Sequence, residues 1–122
     1  LDLSVSAGQL ADATSNMGQR LLEPPSVAGW ETHRGWLDSA TMLVRLNAAR
    51  VAADDLLDAP ATCARHDLSS PTDARRFAIE RTLGASISPA LRSVIDDVNG
   101  TTPDVLRRSL GLLLATPEYQ MA

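Results

Sequence analysis

The sequence predicts an all-α fold, a bundle-like array of five helices with an irregular connector rich in Pro and Trp between the first two. Three observations lead to this prediction. The apolar residues are mostly Ala and Leu, which favour helices, and aromatic residues make up only 3% of the chain. Apolar side chains recur at helical spacing in five segments, and no segment shows the alternation of a strand. A Ser-Pro or Thr-Pro pair also stands at the start of three segments, as is typical of helix N-termini.

The first helix is predicted over residues 6–22. Ser6 and Gln9 have the spacing of a capping box, and an apolar stripe follows them at helical intervals. Two adjacent prolines, Pro24 and Pro25, end the pattern, because proline disfavours the helical conformation in the residue before it.

The second predicted helix, over residues 38–57, is the longest. Apolar side chains cover more than half of its circumference, so we expect it to lie at the centre of the bundle. Arg45 and Asn47 interrupt this apolar surface, and we expect different neighbours for them because they project about 200° apart around a helix. Their expected role is to hydrogen-bond carbonyl groups of the preceding connector, whose irregular backbone needs partners. Binding of a ligand is the alternative role.

Residues 58–70 show no periodicity and are predicted to form a loop. Three further helices follow, each opened by a Ser-Pro or Thr-Pro pair, over 70–83, 88–99 and 102–116. Pro117 ends the last of them, and residues 117–120 favour one additional turn. The chain of 122 residues is predicted to form a single all-helical region.

Charge and hydropathy exclude two classes of partner. The net charge is −4, and the eleven basic residues, all of them arginine, form no basic stripe, so we expect no nucleic-acid partner. No apolar run approaches the length needed to span a bilayer, so we expect no membrane insertion.

Cys63 and His66 have the spacing of half a zinc site. A structural zinc ion needs four ligands, but Cys63 is the single cysteine and His33 is the other histidine. We therefore predict no metal site and no internal disulfide. No cofactor is expected either.

The predicted connector contains the sequence EPPSVAGWETHRGW, residues 23–36, which holds both tryptophans. Trp30 and Trp36 could form an exposed recognition surface, or they could fold inward and fix the connector to the core. We favour the second interpretation, because a large aromatic side chain buries much apolar area. His33 lies near several acidic residues and could act as a general base, but no nucleophile with oxyanion donors accompanies it. We predict no catalytic residue, and the candidate binding residues are Trp30, His33, Trp36, Arg45 and Asn47.

Two segments carry motifs of a known family. Residues 17–49 contain a Gly-Gln pair, two prolines, two tryptophans and an Arg-x-Asn pair, and residues 112–120 end in a small residue followed by Pro-Glu-Tyr-Gln. The motif positions are Gly18, Gln19, Pro24, Pro25, Gly29, Trp30, Trp36, Ser39, Leu43, Arg45, Asn47, Thr116, Pro117, Glu118, Tyr119 and Gln120. Both segments resemble the bacterial family called domain of unknown function 1800. Many members place glycines after the first Trp, where this chain has Glu-Thr-His-Arg at 31–34.

The resemblance implies a cellular location and possible partners for the protein, but it implies no reaction. It implies that the chain is the C-terminal part of a longer, exported bacterial protein, located in the periplasm or outside the cell. Its expected partners are another exported bacterial protein or the N-terminal region of the same protein. The family has no established activity or cofactor, so the resemblance implies no catalytic residue.

The leading functional hypothesis is a non-catalytic helical scaffold or partner-binding region of an exported bacterial protein. One alternative is that this region forms one wall of the active site of a larger enzyme, with Trp30, His33 and Arg45 as its contributors. Another is binding of a sugar or peptide through Trp30 and Trp36. Whether the intact protein is an enzyme stays open, although this region alone is not expected to be one.

Overall fold

The structure is a computed structural model that describes residues 1–18, 20, 22–24, 26–27, 39–84 and 87–120. The predicted all-α fold is confirmed, with seven α-helices rather than five in the described residues. The helices are α1 (Ala7–Asn16), α2 (Ser39–Val51), α3 (Ala59–Arg65), α4 (Pro71–Thr82), α5 (Pro89–Asp96), α6 (Thr102–Leu114) and α7 (Pro117–Gln120). None of the described helices is both long and apolar enough to cross a bilayer.

Helix α1 begins as predicted but ends earlier. Ser6 and Gln9 form the capping box, with the Gln9 amide donating to the Ser6 hydroxyl over 3.2 Å and the Ser6 amide donating to the Gln9 side chain over 2.8 Å. The helix stops at Asn16 because Gly18, two residues later, has a φ of 79°, a conformation that ends helices and favours glycine. The prediction of a helix up to the prolines was therefore wrong.

Helix α2 continues into a π-helical turn, Ala52–Leu56. The predicted long helix is thus confirmed as helical up to residue 56, with a change of geometry in its last turn. The turn packs closely against α6, since a Cβ atom added at Gly111 would lie 3.3 Å from the Ala53 Cβ atom. Residue 38, the predicted start of this helix, lies outside the described residues.

Helix α3 occupies the segment that was predicted to be a loop, and that prediction was wrong. The Asp58 carboxylate accepts a hydrogen bond of 3.0 Å from the Ala61 amide, and Pro60 stands in the first turn, where proline is compatible with a helix. The helix spans only seven residues, too few for an apolar period to be visible in the sequence.

Helices α4, α5 and α6 start close to their predicted Ser/Thr-Pro signals. Ser70, Ser88 and Thr101 are the N-caps, each accepting a hydrogen bond from a backbone amide three residues later. At α4 the Asp73 carboxylate also accepts from the Ser70 amide over 3.2 Å, which completes a capping box. The predicted additional turn after Pro117 is present as α7.

The core lies among α3, α4, α5 and α6. Its buried residues are Leu57, Ala59, Cys63, Ala74, Phe77, Ala78, Ile79, Ile95, Val105, Leu106, Leu110 and Leu113. Four large side chains are completely inaccessible to solvent, those of Ile95, Val105, Leu106 and Leu113. Since each buried aliphatic side chain contributes roughly 1.5–3 kcal/mol, this cluster dominates the stability of the fold.

The N-terminal residues are attached beside the junction of α2 and α3. Leu3 and Leu57 form an antiparallel bridge, flanked by a hydrogen bond of 2.8 Å from the Asp58 amide to the Asp2 carbonyl. The Asp2 carboxylate accepts a hydrogen bond from the Thr62 hydroxyl and lies 2.7 Å from the Arg65 guanidinium. These contacts hold the segment before α1 against α3, and thereby place α1 beside α2.

Candidate functional site

An apolar groove lies between α1, α2 and α7, and is called here the α1–α2–α7 groove. Its volume is about 710 Å³. Its apolar lining comes from Val5, Leu10, Ala13, Met17, Val44, Ala48, Ala49, Val51, Ala52, Leu56, Leu114 and Tyr119. Two of the candidate binding residues, Arg45 and Asn47, line the same groove.

The apolar stripe of α1 forms one wall of the groove, and the other described residues cover it only in part. None of the residues in α1 is buried, and Leu10, on this stripe, is 54% exposed. On the opposite wall, α2 and its π-helical turn present Ala48 and Ala52, whose short side chains leave space between the helices. An uncovered apolar surface of this kind marks interaction sites on soluble proteins.

Arg45 makes a hydrogen bond that links α2 to the C-terminal end of the described residues. Its Nη1 donates to Oε1 of Gln120 over 3.4 Å, across 75 residues of sequence. The Gln120 amide is itself fixed, because its Nε2 donates to the Leu114 carbonyl over 2.7 Å. This arrangement presents the amide oxygen to Arg45 and ties α7 to α2.

The charge of Arg45 lacks a described counter-ion. The side chain is half-buried, and its Nε atom is closed to solvent and makes no hydrogen bond. The ion pairs among the described residues involve other arginines, namely Arg20, Arg50, Arg65 and Arg76. Among the described residues no acidic side chain pairs with this half-buried guanidinium, and a charged group in such a position favours an anionic partner.

The structure therefore brings together two of the five candidate binding residues. Arg45 and Asn47 both line the α1–α2–α7 groove, and the expectation of different neighbours for them stays a prediction. The described hydrogen-bond partner of Arg45 is Gln120. Most of the connector lies outside the described residues, so the expected hydrogen bonds to its carbonyl groups stay a prediction. Trp30, His33 and Trp36 lie outside the described residues, so their two interpretations stay predictions.

Several groove residues were not identified from the sequence. The apolar stripe of α1 was predicted, but its place in a groove was not, and Gln120 was noted only for its family motif. No sequence pattern near either residue predicts the contact between Gln120 and Arg45, because that contact depends on how α7 packs after α6.

A second depression, of about 500 Å³, lies between α2, the α5–α6 connection and α6. Its lining is of mixed charge, with arginines at 50, 107 and 108 and aspartates at 54 and 97. Arg50 already pairs with Asp54 over 3.6 Å, and Arg108 donates to the Asn99 carbonyl over 3.1 Å. This depression thus contains one described ion pair and charges of both signs, and the Nε atom of Arg107 is buried without a hydrogen bond.

Cys63 and His66 both serve packing in the structure. Cys63 is buried in α3, and burial raises the pKa of its thiol, which keeps it protonated near neutral pH. The His66 ring lies against the Phe77 ring, with centroids 4.7 Å apart. Across the residues with described positions, no group of three His, Cys, Asp or Glu side chains is placed to hold a metal ion.

The family model described as "Protein of unknown function (DUF1800)" matches residues 3–121. The chain belongs to the DUF1800 family. No curated protein and no solved structure matches the chain significantly. The two segments that carry DUF1800 motifs, 17–49 and 112–120, meet at the contact between Arg45 and Gln120.

Proposed function

We propose that this DUF1800 chain is a non-catalytic partner-binding region, and that its α1–α2–α7 groove receives an apolar helical segment of another protein. The observation that carries the proposal is the groove itself, an apolar space of about 710 Å³ beside a helix with no buried residue. Exposed apolar side chains at its edge, Leu10 and Tyr119, would be covered by such a segment.

The walls of the groove favour a helix over an extended peptide. They consist mainly of helices, whose backbone groups are already hydrogen-bonded within each helix. An extended peptide would bring unpaired backbone groups into an apolar space, which is costly. A helix satisfies its own backbone and can place an apolar face between α1 and α2.

Filling the groove tests this proposal. A display library of helical peptides is selected for binding to the purified chain, and the selected peptides are then measured against Ala48→Phe. This substitution places a large ring in the groove, and we expect it to weaken binding by about tenfold or more, since one displaced apolar side chain is worth roughly 1.5–3 kcal/mol.

Ala90→Phe is the matched control, because Ala90 is exposed on α5, away from the groove. It is expected to leave the affinity unchanged. If every selected peptide binds Ala48→Phe as tightly as the unmodified chain, the groove is not the binding site and the proposal is wrong.

The exported bacterial setting is part of the proposal and is supported by the family resemblance. In that setting the segment belongs to another exported protein. Fractionation of bacteria that produce the complete protein tests it: the protein is expected outside the cytoplasm, and co-fractionation with a cytoplasmic enzyme would contradict it.

A further inference from the structure

We propose that the helical segment bound in the α1–α2–α7 groove carries a carboxylate within its apolar face, and that Arg45 binds this carboxylate. The inference rests on the proposed function, because it specifies the chemistry of the same partner. The proposed ligand is an amphipathic helix with one Asp or Glu facing α2.

Charge complementarity with Arg45 favours a carboxylate in the bound segment. Arg45 is half-buried in an apolar groove, and its described contact is with a neutral amide at 3.4 Å, the long end of the hydrogen-bond range. A carboxylate would replace this contact with a shorter, charge-assisted hydrogen bond of about 2.7–2.9 Å. The binding of an apolar helix would also remove water from Arg45, so a partner without an acid would leave the charge unpaired.

The position of the Arg45 guanidinium determines where the carboxylate would bind. Gln120 is held by its hydrogen bond to the Leu114 carbonyl, so it acts as a positioning residue that keeps Arg45 at the α7 end of the groove. The Nε atom of Arg45 is closed to solvent. The carboxylate therefore meets the outer nitrogens of the guanidinium, on the side that faces the groove.

The other charged side chain of the groove sets the orientation of the partner. Asp12 is exposed on α1 and also lines the groove. A carboxylate near α1 would be repelled by Asp12, whereas one near α2 is attracted by Arg45. Since the whole chain has a net charge of −4, this attraction is local and does not extend to acidic proteins in general.

The experiment uses peptides selected on the whole chain as described above. Each peptide that loses affinity for Ala48→Phe is synthesised in two forms, as selected and with its Asp or Glu changed to Asn or Gln. We expect the acidic form to bind about tenfold more tightly to the unmodified chain, and expect the two forms to bind Arg45→Gln equally.

Two further variants test whether the effect on binding comes from the charge of Arg45, and circular dichroism tests whether each variant is folded. Gln120→Glu places a carboxylate beside Arg45 within the chain, so it is expected to weaken the acidic peptide about as much as Arg45→Gln does. Arg92→Gln removes an exposed arginine of α5 and is expected to change nothing. The circular dichroism spectrum of each variant verifies that it is folded.

The outcomes distinguish the two proposals. If the selected peptides depend on the groove but bind equally well in acidic and neutral forms, the carboxylate inference is wrong and the proposed function stands. Acidic peptides that bind Arg45→Gln with unchanged affinity would also overturn the inference. If no peptide is sensitive to Ala48→Phe, both proposals fail.

Discussion

The α3–α6 half of the molecule and the half formed by α1, α2 and α7 bury their apolar residues to very different extents. In the first, Ile95, Leu106 and Leu113 are completely inaccessible to solvent. In the second, α1 contains no buried residue and Leu10 is 54% exposed. Both halves are built from amphipathic helices, so an apolar stripe shows where a contact is possible but does not show that the chain itself provides it.

Helix α2 and its π-helical turn belong to both halves. Ala53 is buried and lies opposite Gly111 of α6, whereas Ala48 and Val44 line the groove. One face thus contributes to the stable core and the other to the open groove. We infer that the groove can bind or release a partner without disturbing α3–α6.

The largest effect is expected from truncating a core leucine. Leu113→Ala should lower the free energy of unfolding by about 2–5 kcal/mol, because Leu113 is completely buried. Leu10→Ala should change it by no more than about 0.5 kcal/mol, as is usual for surface positions. Guanidinium denaturation followed by far-UV circular dichroism measures both values. If both variants lost the same free energy of unfolding, the two halves would be packed alike, which would contradict the difference in burial described above.

A smaller effect is expected at two capping boxes of similar geometry. Ser70 caps α4 in the packed half, and Ser6 caps α1 beside the groove. Ser70→Ala should lower the free energy of unfolding by about 1 kcal/mol. Ser6→Ala should leave that value nearly unchanged but speed hydrogen exchange at the α1 amides, because α1 can open locally. A loss of global stability from Ser6→Ala as large as that from Ser70→Ala would contradict local opening of α1.

The smallest effect is expected from acidification. Hydrogen bonds from Ser70 hold the pKa of Asp73 below its ordinary value, and those from Thr101 do the same for the pKa of Asp104. A lowered pKa stabilises the fold above the unfolded value of about 3.9, and this stabilisation is lost as the pH falls through the folded pKa.

Both carboxylates belong to the packed half, so acid should destabilise that half through them. Asp73→Asn and Asp104→Asn should each reduce the loss of stability between about pH 6 and pH 2.5. Denaturation curves recorded across this range test the prediction, and a loss as steep as in the unmodified chain would disprove it.

The sequence predicted the features that depend on neighbouring residues. The starts of α4, α5 and α6 lie near their Ser/Thr-Pro signals, because an N-cap forms within one turn. Helix α3 was missed because its seven residues are too few to show a period, and the early end of α1 was missed because Gly18 acts before the prolines. The contact between Arg45 and Gln120 could not be foreseen, since it spans 75 residues and depends on tertiary packing.

The π-helical turn has a consequence for how the end of α2 is aligned with its neighbours. The turn ends at Leu56, and Leu57, its C-cap, has a φ of −80° and a ψ of 118°. Leu57 is therefore extended, and its side chain is buried while its backbone pairs with Leu3 in the antiparallel bridge. A π-helical turn, with hydrogen bonds five residues apart, is wider than an α-helical turn. The wider turn thus ends α2 at the residue that anchors the N-terminal segment.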